Sequence, residues 1–165
     1  MVVVFLVLAA FQPTASAYES RAREPVVIGE PQEAVATKES FQKPLEGPIY
    51  QGFHWGHRAI DIGGRMGEPI RPIAEGVVIE VSFGRVGWGN TVVIVHKNGF
   101  TSRYAHLGKI EVEEGDWVER ETKIGEVGMT GWTTGPHLHL EVLREGKPID
   151  PQEILPRFGR LLAKG

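Results

Sequence analysis

The sequence predicts an all-β fold, built mainly from antiparallel sheets. From Gly47 onward, glycines separate short apolar runs, which is typical of strands joined by turns. No window of the chain shows a persuasive helical period of apolar residues. An Asn-Gly step between two β-rich runs also indicates a hairpin, since both residues tolerate positive φ. Together these three observations predict paired strands.

The chain begins with a segment typical of exported proteins. Residues 1–17 contain an apolar run followed by Pro13 and end in Ala15-Ser16-Ala17, an A-x-A cleavage pattern. The run is short for a membrane span, so we expect a signal peptide or short N-terminal anchor and no stable membrane insertion beyond it. Residues 18–46 are rich in Glu, Pro, Ala, Gln and Ser without sustained periodicity, which predicts a flexible linker.

Length and composition predict one folded domain at residues 47–152, followed by a C-terminal tail at 153–165. Charged residues make up 24% of the chain and hydrophobic ones 41%, as in ordinary soluble proteins. The formal net charge of -3 gives no electrostatic basis for binding nucleic acid. The chain contains no cysteine, so any metal must be bound by His, Asp or Glu.

The clearest strands are three apolar runs in the middle of the chain, at residues 76–83, 90–96 and 100–106. The last two flank Lys97-Asn98-Gly99, so we expect them to form a hairpin. The glycine series between the first two runs predicts a loop.

The second half of the domain predicts shorter elements. The runs 112–118 and 122–128 fit short strands or turns, and 137–143 fits another strand. The tail at 153–165 carries a few apolar residues that we expect to dock on the sheet.

Two histidines separated by one leucine lie in the last predicted strand. Successive side chains alternate faces in a strand, so His137 and His139 share one face while Leu138 and Leu140 share the other. Taken alone, this pattern also fits a half-exposed strand whose histidines face solvent.

A second cluster lies in the glycine-flanked segment 54–64. His57 and Asp61 are four residues apart and share a face in a strand, which the glycines favour over a helix. Ile60 and Ile62 then turn into the core. A histidine and a carboxylate that converge in this way suit zinc, although the spacing alone is a weak signal.

A third histidine, His106, ends a predicted strand, where a lone histidine is more often a packed or capping residue. The candidates nevertheless recur at strand ends or on one strand face. Five such residues favour one shared site, and they are His57, Asp61, His106, His137 and His139.

Several separated motifs occur in one order: HxxxD, GxVxxV, GNxVxIxHxNG, YAHL, VxxGxxV and IGxxGxTGxxTGPHLHxEV. In this order they resemble the M23 metallopeptidases, the peptidoglycan endopeptidases of the LytM and lysostaphin type. The resemblance covers the chain from about Gly47 to Pro151. It implies a β domain of the duplicated-hybrid-motif type, with a groove across one sheet.

The resemblance also implies the roles of the five residues. His57, Asp61 and His139 would bind Zn²⁺, and water would take the fourth position, as is usual for a catalytic zinc site. His106 and His137 would be the catalytic pair, and the sequence does not decide which is the general base. The implied substrate is a peptide bond in peptidoglycan stem peptides or cross-bridges.

Other polar residues near these motifs have open roles. The family also uses a tyrosine in catalysis, and the sequence assigns this role to neither Tyr50 nor Tyr104. Glu141 would share a strand face with His139, either as the partner of its imidazole or facing solvent. His54 fits a groove-lining or a non-catalytic loop position, and His96 beside the hairpin turn is predicted to be structural.

Two non-enzymatic classes are the alternatives. Some proteins with this domain have lost metal ligands and act as wall-binding activators of other hydrolases, whereas all five positions are filled here. Segment 112–127 resembles biotinyl or lipoyl carrier repeats, but Met129-Thr130 has no lysine beside it. We therefore predict an exported enzyme, secreted, periplasmic or cell-wall associated, that acts on peptidoglycan peptides as a monomer.

Overall fold

The protein is described by a computed structural model that covers residues 40–158. The predicted signal segment 1–17, the linker from 18 to 39 and the tail from 159 onward lie outside the described residues. Within residues 40–158, no helix is long and apolar enough to cross a membrane.

Strands are the predominant regular structure of the described chain, and two 3₁₀ turns, Lys97–Gly99 and Pro151–Glu153, accompany them. The ten strands, in chain order, are β1 (Ile49–Gln51), β2 (Ile60–Gly63), β3 (Pro69–Ile70), β4 (Gly76–Ser82), β5 (Asn90–Val95), β6 (Phe100–Ile110), β7 (Trp117–Val118), β8 (Gly125–Val127), β9 (His137–Arg144) and β10 (Lys147–Ile149).

All strand pairs are antiparallel, in the order β1-β2-β9-β6-β5-β4-β7. Strand β10 pairs with β9, and β8 pairs both with β3 and with the C-terminal end of β6. This arrangement confirms the predicted all-β fold. It also places β9, the strand with both histidines of the HLH motif, between β2 and β6.

The hairpin predicted between β5 and β6 is present. Asn98 and Gly99 have φ values of 55° and 74°, the left-handed conformation that the Asn-Gly step was expected to supply. A second tight turn at Glu145 and Gly146, with φ values of 51° and 75°, joins β9 to β10. The sequence analysis did not anticipate this second hairpin.

The core lies beneath one face of the central strands. Leu138, Leu140 and Val142 of β9 are completely buried, as are Ile60 and Ile62 of β2. The period-two pattern therefore separates the faces as predicted. Burial of each such side chain stabilises the fold by about 1.5–3 kcal/mol. A one-residue slip would expose all of them, so the strand register is strongly specified.

A polar network crosses the core beside β6. The hydroxyl of Tyr104 accepts from the backbone N–H of Ile73 (2.8 Å) and from Ser102 Oγ (2.9 Å), and burial raises its pKa. His96 Nε2 lies 2.7 Å from Ser102 Oγ, while its Nδ1 donates to the carbonyl of Glu75 (2.9 Å). The contacts of His96 agree with the structural role predicted for it. The same network places Tyr104 in the core.

The folded part begins before the predicted boundary at Gly47. Phe41 packs edge-on against Phe100 with ring centroids 4.9 Å apart, and Leu45 is buried. The backbone N–H of Gln42 donates to the carbonyl of Ile73 (2.8 Å). Phe41 and Leu45, which lie in the predicted linker, therefore pack against the folded domain.

Candidate metal centre

Three polar side chains of β9 line the face opposite the core. His137, His139 and Glu141 alternate with the buried leucines. Strand pairing places Asp61 of β2 directly opposite His139 and Ala105 of β6 on its other side. The sheet register thus brings together two of the predicted ligands, which are 78 residues apart in the chain.

The three predicted ligands form one cluster. One donor atom from each of His57, Asp61 and His139 lies within 4.8 Å of the other two. Asp61 Oδ1 is 3.3 Å from His57 Nε2 and 2.7 Å from His139 Nδ1. Ligands about 2.1 Å from a tetrahedral zinc are separated by about 3.4 Å. The donor types fit a zinc ion, and the spacing of His57 and Asp61 matches this value. The 2.7 Å between Asp61 and His139 is a hydrogen-bond distance that would lengthen by about 0.7 Å on metal binding.

The remaining nitrogen of each ligand imidazole also has a partner. His57 Nδ1 donates to the carbonyl of Gly52 (3.0 Å), and His139 Nε2 lies 3.5 Å from Glu141 Oε1. In the neutral ring, which is the form that binds a metal, a nitrogen that donates to such a partner leaves the other nitrogen with its lone pair. These contacts therefore aim His57 Nε2 and His139 Nδ1 at the cluster. Glu141 occupies the imidazole-partner position, one of the two roles predicted for it.

His57 reaches the cluster from a turn and not from a strand. Strand β2 starts only at Ile60, whereas the backbones of His54 and His57 pair with each other through two hydrogen bonds (2.9 and 3.0 Å). The expectation that His57 and Asp61 share one strand was therefore wrong for His57. The tight loop, which contains Gly56, curls the chain so that His57 still faces Asp61.

His106 approaches from a bulge in β6. Between the pairs Asn90–Leu107 and Val92–Tyr104, β6 contains one more residue than β5. His106 adopts a left-handed φ of 60°, which costs an ordinary residue roughly 1–2 kcal/mol. Bulges reorient side chains in this way beside functional sites. The His106 ring centroid comes to 4.9 Å from that of His137.

Backbone carbonyls fix both spare imidazoles. His106 Nδ1 donates to the carbonyl of Thr130 (2.8 Å), and His137 Nδ1 donates to that of Gly135 (2.9 Å). In each ring Nε2 is therefore the nitrogen available to the site, and that of His137 lies 3.7 Å from Asp61 Oδ1. The structure thus brings all five predicted residues together.

Burial and charge set different protonation tendencies in the cluster. Burial opposes the charged form of His139, but hydrogen bonds to Asp61 and Glu141 raise its pKa to about 9. Burial would raise the pKa of Asp61, yet the neighbouring histidines, His139 first, lower it. Burial is also the main cause that lowers the pKa of His106. His106 is therefore held neutral near pH 7.

The five groups line one open cavity of about 780 Å³. Its remaining walls are formed by other residues, namely Gln51, Gly87, Trp88, Trp132, Thr133 and Thr134. Sequence reasoning did not identify the two tryptophans. Their only sequence signal is that each follows a glycine in a loop: the loop predicted between β4 and β5, and the loop before β9.

The two tryptophan-bearing loops are joined to each other. Trp132 N–H donates to the carbonyl of Gly87 (2.8 Å), and Trp88 supplies the carbonyl that accepts from His106 N–H (2.9 Å). Gly131 has a φ of 75° and packs so closely on Gly87 that a Cβ would collide with it. The cavity wall therefore also fixes the backbone of His106.

The other candidates lie outside the cavity lining. Tyr104 is in the core, and the Tyr50 ring packs over Gly63 beside the site. His54 contacts Gln51 (3.2 Å between their Nε2 atoms) and is exposed. The location of His54 agrees with a non-catalytic loop position.

A β-sheet whose register brings a His/Asp/His cluster to an open cavity defines a candidate metalloenzyme site. Residues 55–151 match the family model described as peptidase family M23, which spans more than half of the chain. The protein therefore belongs to the M23 family, whose members are zinc-dependent.

Similar curated proteins carry two kinds of name. The chain is 39% identical over 101 residues to a lipoprotein NlpD/LppB homolog of Pseudomonas aeruginosa (61% of this chain, 34% of that protein). It is 40% identical over 94 residues to the peptidoglycan DD-endopeptidase ShyA of Vibrio cholerae (57% and 22%). It is 33% identical over 121 residues to the murein hydrolase activator NlpD of Escherichia coli (72% and 32%). The chain thus spans about a third or less of these relatives.

Solved structures agree with the fold. A zinc-containing peptidase from Vibrio cholerae is 33% identical with a TM-score of 0.64, covering 73% of this chain and 41% of that one. The catalytic domain of lysostaphin from Staphylococcus simulans is 31% identical with a TM-score of 0.55, covering 66% and 86%. The predicted LytM/lysostaphin type of fold is therefore confirmed.

Proposed function

We propose that this protein is an exported zinc metalloendopeptidase that hydrolyses peptide bonds in peptidoglycan stem peptides or cross-bridges. One observation carries the proposal: three donors that fit zinc lie within 4.8 Å of one another while His106 and His137 border the same cavity. Three protein ligands with an open position are the usual layout of a catalytic zinc site, whereas structural sites are closed by four.

The two spare imidazoles supply the proton transfers. A bound zinc ion supplies a Lewis acid and an activated water at near-neutral pH. His106 and His137 each use Nδ1 to donate to a backbone carbonyl, which leaves Nε2 of the neutral ring to accept a proton from the attacking water. Once protonated, each can donate to the developing oxyanion or to the leaving amine. Their ring centroids lie 4.9 Å apart, close enough to serve the same scissile bond.

The substrate class follows from the cavity and from the relatives. The cavity is open and is lined by side chains from β2, β6, β9 and their loops, so we expect it to admit a peptide substrate. The ShyA relative is named as a peptidoglycan DD-endopeptidase. Similarity to a lipoprotein homologue agrees with a location in the cell envelope, which an exported monomer would reach.

Release of soluble fragments from purified, dye-labelled peptidoglycan tests the proposal. Wild-type protein loaded with zinc is expected to release fragments. Asp61→Ala is expected to lose both metal and activity, and His137→Ala to lose activity alone. Asp116→Ala is the matched control for Asp61→Ala, because it removes an exposed carboxylate outside the cavity lining. Equal release by wild type and Asp61→Ala would contradict the proposal.

A second candidate function is a catalytically silent activator of another wall hydrolase. The 33% identity to the murein hydrolase activator NlpD favours it. An activator would accelerate a partner hydrolase on the same substrate, and His137→Ala would accelerate it equally well. The enzyme is the better supported of the two, because all five site positions are filled and their side chains line one cavity.

A further inference from the structure

A salt bridge lies beside the candidate metal centre on the same face of the sheet. Arg103 of β6 and Glu141 of β9 form a cross-strand pair, two residues along each strand from the pair of Ala105 and His139. Arg103 Nη1 donates to Glu141 Oε2 at 2.8 Å. The other oxygen of the same carboxylate, Oε1, lies 3.5 Å from His139 Nε2. Glu141 thus has one oxygen toward Arg103 and the other toward the metal ligand.

Among the ion pairs of the described residues that involve a lysine or an arginine, this pair is the least exposed. The Arg103 and Glu141 side chains are only 25% and 17% exposed. Water and salt screen such a pair less than the exposed pairs that contribute little to stability. The pairing also fixes the carboxylate rotamer, since a single charge-assisted hydrogen bond determines which oxygen is left for His139.

Arg103 has a second contact on its other side. Its guanidinium carbon lies 4.3 Å from the ring centroid of Trp88, a cation–π stack. Trp88 lines the cavity, and its carbonyl accepts the backbone N–H of His106 (2.9 Å). One planar cation therefore contacts both the partner of a metal ligand and the loop that fixes a candidate catalytic histidine.

We propose that Arg103 is a positioning residue that couples the metal ligand His139 to the cavity wall supporting His106. Through Glu141, Arg103 fixes the orientation of the His139 ring. Through the stack on Trp88, it fixes the loop at residues 84–89. The role of the wall in turnover rests on the proposed function, whereas the effect on metal binding does not.

Zinc affinity tests the first link without any activity measurement. Loss of a hydrogen-bonded partner behind a metal ligand typically costs 10–100-fold in affinity. Compared at the high-pH limit of affinity, where His139 is deprotonated in every variant, Glu141→Gln and Arg103→Leu are each expected to weaken zinc binding about tenfold, measured by competition with a chromophoric chelator. If Arg103 acts through Glu141, the double variant should bind zinc no more weakly than the worse single variant.

A conservative substitution separates the two links. Arg103→Lys keeps a cation for Glu141 but lacks the planar group that stacks on an indole. We expect it to bind zinc within about threefold of wild type while hydrogen exchange quickens at residues 84–89 and at the His106 amide. Glu141→Gln should leave that exchange unchanged. Arg103→Lys also keeps the proposal testable if Arg103→Leu fails to fold.

Arg71→Leu is the matched control, because Arg71 pairs with Glu121 (3.3 Å) away from the cavity. It should change neither zinc affinity nor exchange at residues 84–89. Wild-type zinc affinity in both Arg103→Leu and Glu141→Gln, or unchanged exchange in Arg103→Lys, would overturn the proposal. If the variants show these effects but the wild-type protein cleaves no peptidoglycan, the proposed function is refuted and the positioning role of Arg103 stands.

Discussion

Zinc binding to this protein should depend steeply on pH, because a proton occupies one of the candidate ligand atoms. His139 Nδ1 lies 2.7 Å from Asp61 Oδ1 and its Nε2 lies 3.5 Å from Glu141 Oε1. Burial opposes the charged imidazole, but these two carboxylates raise its pKa to about 9. A metal needs the lone pair on Nδ1, so zinc must displace that proton.

The magnitude follows from this pKa. At pH 7, two units below a pKa of about 9, only about one molecule in a hundred has a neutral His139. The apparent zinc affinity at pH 7 should therefore lie about 100-fold, or about 3 kcal/mol, below its high-pH limit. Between pH 7 and 9 the affinity should rise about tenfold per unit and then level off. Zinc affinity rises with pH and does not fall, because deprotonation of His139 frees the nitrogen that binds the metal.

Chelator competition from pH 6.5 to 9.5, corrected for protonation of the chelator, measures this slope. Calorimetry at pH 7.5 in buffers of different ionisation enthalpy should show about one proton released from His139 per zinc bound. Glu141→Gln removes one of the carboxylates that raise this pKa, so its plateau should begin at a lower pH. An affinity that is flat between pH 7 and 8 in wild type would refute the reasoning.

Three further predictions follow from the structure. His106→Ala and His137→Ala should keep zinc, since neither residue is a candidate metal ligand, but each should lower kcat by roughly 10²–10⁴-fold. A near wild-type rate in either variant would show that its residue has no catalytic role. At saturating zinc, and with His106 as the base, the acid limb of kcat/KM should have its midpoint below pH 6.5, because burial lowers the pKa of His106 from 6.5. A midpoint above about 7 would exclude His106 from that role. Leu138→Ala should lower the free energy of unfolding by about 2–5 kcal/mol in urea titrations, since Leu138 is completely buried, and a loss under 1 kcal/mol would contradict the packing.

The length of the folded part gives one more expectation. Fragment 40–165 should unfold at a higher urea concentration than fragment 47–165, because the shorter one lacks the packing of Phe41 and the burial of Leu45. Equal midpoints would mean that residues 41–46 add no stability. Activity comparisons with the predicted linker removed should therefore use the fragment that starts at residue 40.

Local patterns predicted the strands whose two faces differ. The HLHLEV segment alternates polar and apolar side chains, so its face assignment needed no partner strand. The Asn-Gly turn was equally visible, because positive φ at both positions is an intrinsic preference. These two signals place His137 and His139 on one face and fix the neighbouring hairpin, but they do not tell which strand lies beside β9.

The remaining features depend on contacts between distant segments. The bulge at His106 exists because β6 pairs with β5 in a shifted register and because the Trp88 carbonyl receives its N–H. Strands of two or three residues, such as β3 and β10, are too short to show a period. The packing of Phe41 on Phe100 joins residues 59 positions apart, which no local window contains.

Digestion of a defined, cross-linked muropeptide by zinc-loaded protein, read by mass spectrometry, tests the central claim most directly. The account predicts two fragments whose masses sum to that of the substrate plus one water. This cleavage should be lost with a chelator, restored by zinc and missing in His137→Ala. An intact muropeptide after prolonged incubation with protein that contains one zinc per chain would contradict the assignment of this site as a peptidase.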